Sequence, residues 1–248
     1  MKNHIKYFAV VGVIFLTGCS DTLHNQPVPS PGQHAHVLKA TIQKDIALQY
    51  LLFVPEQYNP KGPALPLMVF LHGAGERGDD LEKVKVHGPP KIVQNQKDFP
   101  FVVVSPQCPQ NRWWPNMIQE LNVLLDDILA RYNVDCQRVY LTGLSMGGYG
   151  SWEWGCANPE RFAAIAPICG SGQRWRACNL KNTPVWVFHG GQDQVVPLQR
   201  SEEMVNALKN CQGNVKLTVY PQAGHDSWTE TYNNPELYKW FLSHQKDQ

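Results

Sequence analysis

One stretch limits the folds open to this chain more than any other: Val139-Tyr140-Leu141-Thr142-Gly143-Leu144-Ser145-Met146-Gly147-Gly148. An apolar, strand-like run ends at Gly143, and a helix-compatible segment begins after Ser145. Gly143 and Gly147 stand two residues to either side of the serine. A tight strand-to-helix turn needs glycine at both places, because a Cβ there would collide with the element packed alongside. Such a turn lifts the serine hydroxyl clear of a sheet. It also aims the first N–H groups of the helix at whatever the hydroxyl approaches. A glycine pair can also arise by chance, so the reading depends on the rest of the chain.

The surrounding pattern supplies that context. Short apolar runs at residues 66–71, 101–104, 162–168, 185–188 and 215–220 read as buried strands. Apolar residues at Ile118, Leu121, Leu124, Leu125, Ile128 and Leu129 recur at helix spacing. Residues 198–208 and 235–244 read as further helices. Two strand-like runs near residues 37–42 and 46–54 look like an opening hairpin. From about residue 66 onward, strands alternate with helices, which predicts a mostly parallel central sheet with helices on both faces. The stretch between Ile168 and Pro184 is too short for a large lid, so a site there should be open. Neither a repeat nor a second domain shows.

With 248 residues and 43% hydrophobic side chains, the chain can build one domain with a sizeable core. A formal net charge of +1 and no basic face argue against a nucleic-acid partner. The N-terminus reads differently from the rest. Lys2 and Lys6 precede an apolar stretch, 7–16, too short to span a bilayer comfortably. Leu16-Thr17-Gly18-Cys19 comes next and resembles the lipobox of bacterial lipoproteins. That resemblance implies a signal peptide over 1–18 and a membrane anchor on the acylated Cys19. Ser20 in place of Asp implies the outer membrane. Residues 19–36, broken by Pro27, Pro29 and Pro31, read as a flexible tether, and 37–248 as the folded domain.

Six cysteines remain: Cys108, Cys136, Cys156, Cys169, Cys178 and Cys211. An exported chain meets an oxidising compartment, so up to three disulfides are expected. Their pairing is open. Cys169 and Cys178 bracket one loop and are the first expectation. No C-x-x-C or H-x-x-x-H spacing points to a metal, and neither metal nor organic cofactor is signalled.

A serine hydroxyl needs a base, and the base needs an orienting carboxylate. In an open parallel sheet such groups collect at the carboxyl ends of strands. Three candidates sit at such ends, in the order Ser145, Asp193, His225. Serine, then acid, then histidine is the order of α/β-hydrolases. Asp226 is a poor rival acid, being adjacent to His225. His72 and His189 precede glycines at strand ends and read as structural histidines.

These residues carry a wider resemblance, from about residue 46 to the C-terminus. The His72-Gly73-Ala74-Gly75-Glu76-Arg77-Gly78 turn, the serine turn, the H-G-x-x-D-x-x-V-P stretch from His189 to Pro197 and the Gly224-His225 end are its marks. The chain resembles small α/β-hydrolase esterases related to feruloyl esterases and polyhydroxybutyrate-depolymerase-like proteins, a group also described as predicted peptidases or phospholipase/carboxylesterase-like. The resemblance implies that Ser145 attacks an ester carbonyl, His225 shuttles the proton and Asp193 orients the imidazole. Backbone N–H groups of Met146 and Ala74 would hold the oxyanion. Trp113, Trp114, Trp175 and Trp228 lie on strand-end loops and are candidate contacts for an aromatic or sugar ring. The implied substrate is a small or polymer-linked ester of bulky type, feruloyl or acetyl. Two other readings stay open: a serine peptidase of prolyl-oligopeptidase-like type, and a non-catalytic surface-binding lipoprotein. Oligomeric state is not legible.

Overall fold

The computed structural model describes residues 33, 37–41 and 43–246. The expected signal peptide over 1–18, the expected anchor Cys19 and nearly all of the expected tether over 19–36 lie outside the described residues. The chain divides into two units, Met1–Lys44 and Asp45–Gln248, and among the described residues all regular structure belongs to the second.

Seven strands make one sheet: β1 (Tyr50–Phe53), β2 (Leu65–Leu71), β3 (Val102–Pro106), β4 (Val134–Leu144), β5 (Ala164–Ile168), β6 (Val185–Gly190) and β7 (Val215–Tyr220). Their order is β1-β3-β2-β4-β5-β6-β7. Six helices accompany them: α1 (Gly88–Ile92), α2 (Ile118–Arg131), α3 (Met146–Ala157), α4 (Gln199–Asn210), α5 (Trp228–Asn233) and α6 (Pro235–Leu242). Every pairing from β3 across to β7 is parallel. This is the mostly parallel sheet with accompanying helices expected from the alternation. The short helices α1 and α5 were not legible in the periodicity.

The opening hairpin is corrected. Residues 37–41 carry no strand, and Val37 and Leu38 are 84% and 90% exposed. Only β1 forms, and its partner is β3, antiparallel, with Tyr50 opposite Pro106. The outer edge of β3 offers a row of unpaired backbone groups, and β1 covers it.

Alternation along β2 sorts the core into two layers. Leu67, Val69 and Leu71 point to one face and belong to the core layer that also holds Leu121, Leu125 and Ile128 of α2, Trp152 of α3 and Leu208 of α4. Met68 and Phe70 point to the other and meet Tyr232 of α5 with Leu237 and Phe241 of α6. Burying each such side chain contributes roughly 1.5–3 kcal/mol, so a strand apolar on both faces is anchored from both sides. That is why β2 reads as a continuous apolar run rather than an alternating one.

The disulfide expectation is also corrected. Cys178 pairs with Cys211, and Cys169 is a free, buried thiol. Cys178 lies on a 3-10 turn, Arg174–Leu180, and Cys211 caps α4. Their Cα atoms are 5.4 Å apart, inside bridging range. Among the described residues no helix is long and apolar enough to cross a membrane.

Candidate active site

The serine turn joins β4 to α3. Ser145 has φ 52° and ψ −114°, a conformation that costs a residue with a Cβ about 1–3 kcal/mol. The surroundings hold it there. A Cβ on Gly147 would lie 1.8 Å from Leu71 O, and one on Gly143 would lie 2.5 Å from Gly147 O. The helix therefore starts against the backbone of β2, and only glycine permits that approach. Ser145 N–H donates to Ile168 O at 2.9 Å. This bond carries the sheet ladder past the end of β4 and fixes the turn against β5.

Asp193 lies just past β6, and His225 just past β7. Gly191 N–H donates to Tyr220 O at 2.8 Å and Gln192 N–H to Ala223 O at 2.9 Å, which zips the two loops together beyond the sheet. The result is one hydrogen-bonded row. His225 Nε2 is 2.9 Å from Ser145 Oγ, and His225 Nδ1 is 2.8 Å from Asp193 Oδ2. The structure thus brings together the three residues that sequence placed at separate strand ends.

Asp193 is shielded from solvent, with its side chain 0% exposed. Burial alone would raise its carboxyl. Hydrogen bonds from His225 and from the backbone N–H groups of Val196 and Val195 outweigh burial, and the carboxyl titrates below its ordinary value. Oδ1 takes both backbone bonds, at 2.8 Å from Val195 and 2.9 Å from Val196. Asp226 is occupied elsewhere: its carboxylate accepts from Thr229 N–H and Oγ1–H at the start of α5.

The two oxyanion candidates lie on segments that meet at the serine turn. Met146 is the first residue of α3, so its N–H has no acceptor within the helix. Ala74 opens a 3-10 turn, Ala74–Glu76, directly after β2. A Cβ on the preceding Gly73 would lie 2.8 Å from Leu144 Cδ1, which places this turn against the residue before Ser145.

The β2 turn has its own support, built on the histidine that the sequence marks as structural; the partners of that histidine were not legible there. His72 is 1% exposed. Its Nε2 accepts from Cys108 N–H at 3.0 Å, so Nδ1 carries the proton and donates to Gly73 O at 2.6 Å. Burial lowers the His72 pKa to about 4, against the lesser effect of its bond to Gly73 O. Trp114 Nε1–H donates to His72 O at 2.9 Å. Gln107 Nε2–H donates to both Glu76 O and Asp80 O, at 2.9 and 2.7 Å.

The four tryptophans separate. Trp114 is wholly buried beneath the His72 turn, so its expected role as a substrate contact is corrected to that of a prop. Trp228 packs edge-on against His225, ring centroids 5.2 Å apart. Trp113 is 38% exposed and sits between Arg77 (5.9 Å) and Tyr149 (6.4 Å), one helical turn from Ser145. Trp175 is 79% exposed and borders a groove with Glu203 and Asn206 of α4.

One residue beside the row gave no signal in the sequence beyond its position. Cys169 has φ 40° and is buried, and its thiol lies with the Asp193 and His225 ligand atoms inside 4.8 Å. Burial pushes that thiol well above its ordinary value. Thiol, carboxylate and imidazole are a possible donor set for an ion. Here both Asp193 oxygens and both His225 nitrogens are already engaged in hydrogen bonds.

A parallel sheet with β1 alone reversed, a serine on a strained strand-to-helix turn, and an acid and a histidine on the next strand-end loops together define an α/β-hydrolase. Residues 86–234 match the model of the Phospholipase/Carboxylesterase family, and the chain belongs to that family. A crystal structure of a thermostable esterase superposes with a TM-score of 0.70 at 35% identity, over 80% of this chain and 60% of that one. "Probable feruloyl esterase C" of Aspergillus niger is 24% identical over 190 residues, 74% of this chain and 69% of the relative. "Putative carboxymethylenebutenolidase" of Escherichia coli is 30% identical over 105 residues, and the match spans 39% of each protein.

Proposed function

We propose that this chain is a serine carboxylic-ester hydrolase that works through an acyl-enzyme on Ser145. The observation that carries the reading is the unbroken row from Ser145 Oγ through His225 to Asp193 Oδ2. As Ser145 Oγ bonds to the ester carbonyl carbon, its proton passes to His225 Nε2. The carbonyl π pair moves onto oxygen, toward the Met146 and Ala74 N–H groups. When the pair returns, the C–O bond breaks and His225 gives its proton to the departing alcohol. Water then attacks the acyl carbon and gives a proton to His225. That proton returns to Ser145 Oγ as the acid leaves. Asp193, held ionised by its donors, keeps the His225 proton on Nδ1 and balances the charge of the imidazolium. Each oxyanion donor contributes about 2.7–4 kcal/mol to lowering the barrier.

The proposed substrate is a bulky or polymer-linked acyl ester of feruloyl or acetyl type. The feruloyl esterase relative and the exposed Trp113 beside Tyr149 support it. The lipobox-like pattern at residues 16–19 supports an exported form anchored through lipid on Cys19 in an outer membrane.

A fluorophosphonate probe tests the chemistry. Folded protein labels at Ser145 and the Ser145→Ala variant does not; an unlabelled wild type refutes the proposal. Matched p-nitrophenyl esters and amides then separate esterase from peptidase. Faster turnover of the ester panel, with feruloyl and acetyl-xylan members, supports the substrate class, and equal or faster amide turnover refutes it.

A further inference from the structure

β6 ends in a histidine that the proposed chemistry leaves unused. His189 is 0% exposed. Its Nε2 is 2.8 Å from Val196 O and 3.2 Å from Asp193 Oδ2. Both neighbours only accept, so Nε2 bears a proton. The bond to Val196 O fixes the peptide segment whose Val196 N–H donates to Asp193 Oδ1 at 2.9 Å. The same nitrogen, with its partial positive charge, lies 3.2 Å from Oδ2, the oxygen that His225 uses. His189 therefore addresses both carboxylate oxygens of Asp193, one through the loop and one directly.

The other side of the ring is anchored just as firmly. His189 Nδ1 is 2.7 Å from Ser201 Oγ on α4, and Ser201 Oγ is 3.1 Å from Gly170 O. Gly170 lies just past β5 and backs onto α3: a Cβ on it would lie 2.4 Å from Gly148 C. With its proton on Nε2, His189 accepts the single Ser201 hydroxyl proton at Nδ1, and Gly170 O lies near the same hydroxyl. Rotating the buried ring would leave its nitrogens unpaired in a medium that punishes it, so the ring holds one geometry.

We infer that His189 is a positioning residue for Asp193, setting the carboxylate plane and the share of its charge that reaches His225, an inference that rests on the serine-hydrolase reading above. Other titratable or charged groups facing the Asp193–His225 pair are the Cys169 thiol after β5, Tyr149 on α3 with Arg200 of α4 near it, and Asp226 beside His225; His87 lies beyond Trp228. Burial raises both the Cys169 thiol and the Tyr149 phenol, so neither titrates on the acid side of neutrality.

Two variants test the inference. His189→Gln keeps an N–H near the place of Nε2, and His189→Met fills the space without one. With p-nitrophenyl acetate, the Met variant loses about tenfold in kcat while KM stays within about twofold. The acid limb of its kcat/KM profile moves to higher pH, because the Asp193 charge falls more fully on His225. The Gln variant keeps the wild-type limb. A folded Met variant with wild-type kcat and limb overturns the inference. So do Met and Gln variants that lose rate equally with no movement of the limb, which is the mark of a packing role alone. If the Met variant does not fold, Ser201→Ala removes the partner of Nδ1. It should move the limb in the same direction by less, and an unchanged limb overturns the inference. Wild-type labelling and turnover test the hydrolase reading separately. A readout that needs no substrate is the low-field proton signal of His225 Nδ1–H. It should shift downfield in the Met variant and hold in the Gln variant, and an unmoved signal in the Met variant overturns the inference.

Discussion

The same dipeptide marks the ends of β2 and β6: His72-Gly73 follows the one, His189-Gly190 closes the other, and both histidines are buried. Their surroundings give them opposite duties. His72 accepts from one backbone N–H and donates to its neighbour's carbonyl, so it stitches a turn to the loop after β3. His189 sets its proton against a carbonyl and a carboxylate, and so faces the acid of the row. The glycines differ as well. A Cβ on Gly190 would meet backbone, 2.0 Å from Gly224 O, whereas one on Gly73 would meet a side chain, 2.8 Å from Leu144 Cδ1. The dipeptide secures a strand end; the loop beyond it decides which group is secured.

The sharpest test of the β6 side removes the charge it serves. Asp193→Asn should lower kcat by about four orders of magnitude, with the fold kept, because the amide favours the wrong His225 tautomer. Steady-state kinetics beside circular dichroism will show it, and a loss below a hundredfold would merge the two turns into one structural class.

The β2 side predicts a pH effect on stability instead. His72 has an ordinary pKa of 6.5 and a folded value of about 4, so the unfolded chain binds the extra proton first as pH falls. Stability from this group is complete above the ordinary value and declines between the two, by on the order of 3 kcal/mol. Urea midpoints of wild type should fall across that window, and His72→Gln should flatten the fall. Asp193 acts in a lower window: its depressed carboxyl stabilises above its ordinary 3.8 and the gain is lost as pH drops beneath it.

Gly190→Ala should destabilise by about 1–3 kcal/mol or more, since neither chain can give way. Gly73→Ala should cost less, because Leu144 can rotate; equal melting temperatures for the two variants would erase the distinction. Trp114→Phe removes one buried donor from His72 O and should cost about 1 kcal/mol. Its kcat should fall only slightly, by loosening the Ala74 turn. A large fall would give the β2 side a more direct part in the reaction.

Much of this was legible in the sequence because it is local. Helix spacing placed Ile118 to Arg131, and a two-sided apolar run placed β2. The glycines around Ser145 announce a close approach, and chain order identified Asp193 and His225 as the residues to bring to it. The hidden features depend on partners far along the chain. Tyr50 pairs with Pro106, not with the exposed run before it. Cys178 finds Cys211 because a 3-10 turn packs on α4, while the nearer Cys169 is held under the serine turn. Trp114 carries no mark that tells a prop from a platform; only its bond to His72 O does. His189 likewise gave its structural character but not its object.

The Cys178–Cys211 bridge closes a ring across a sequence separation of 33. Asp193, His189 and Ser201 all lie inside that ring, and Ser145 and His225 lie outside it. Closing a loop of this size removes unfolded-state entropy worth about 3–4 kcal/mol. The acid and its supports therefore travel as a tethered cassette, unable to wander far from α4 even when the sheet opens. Oxidation preserves the memory of half the site through an unfolding event, and a reducing medium erases it.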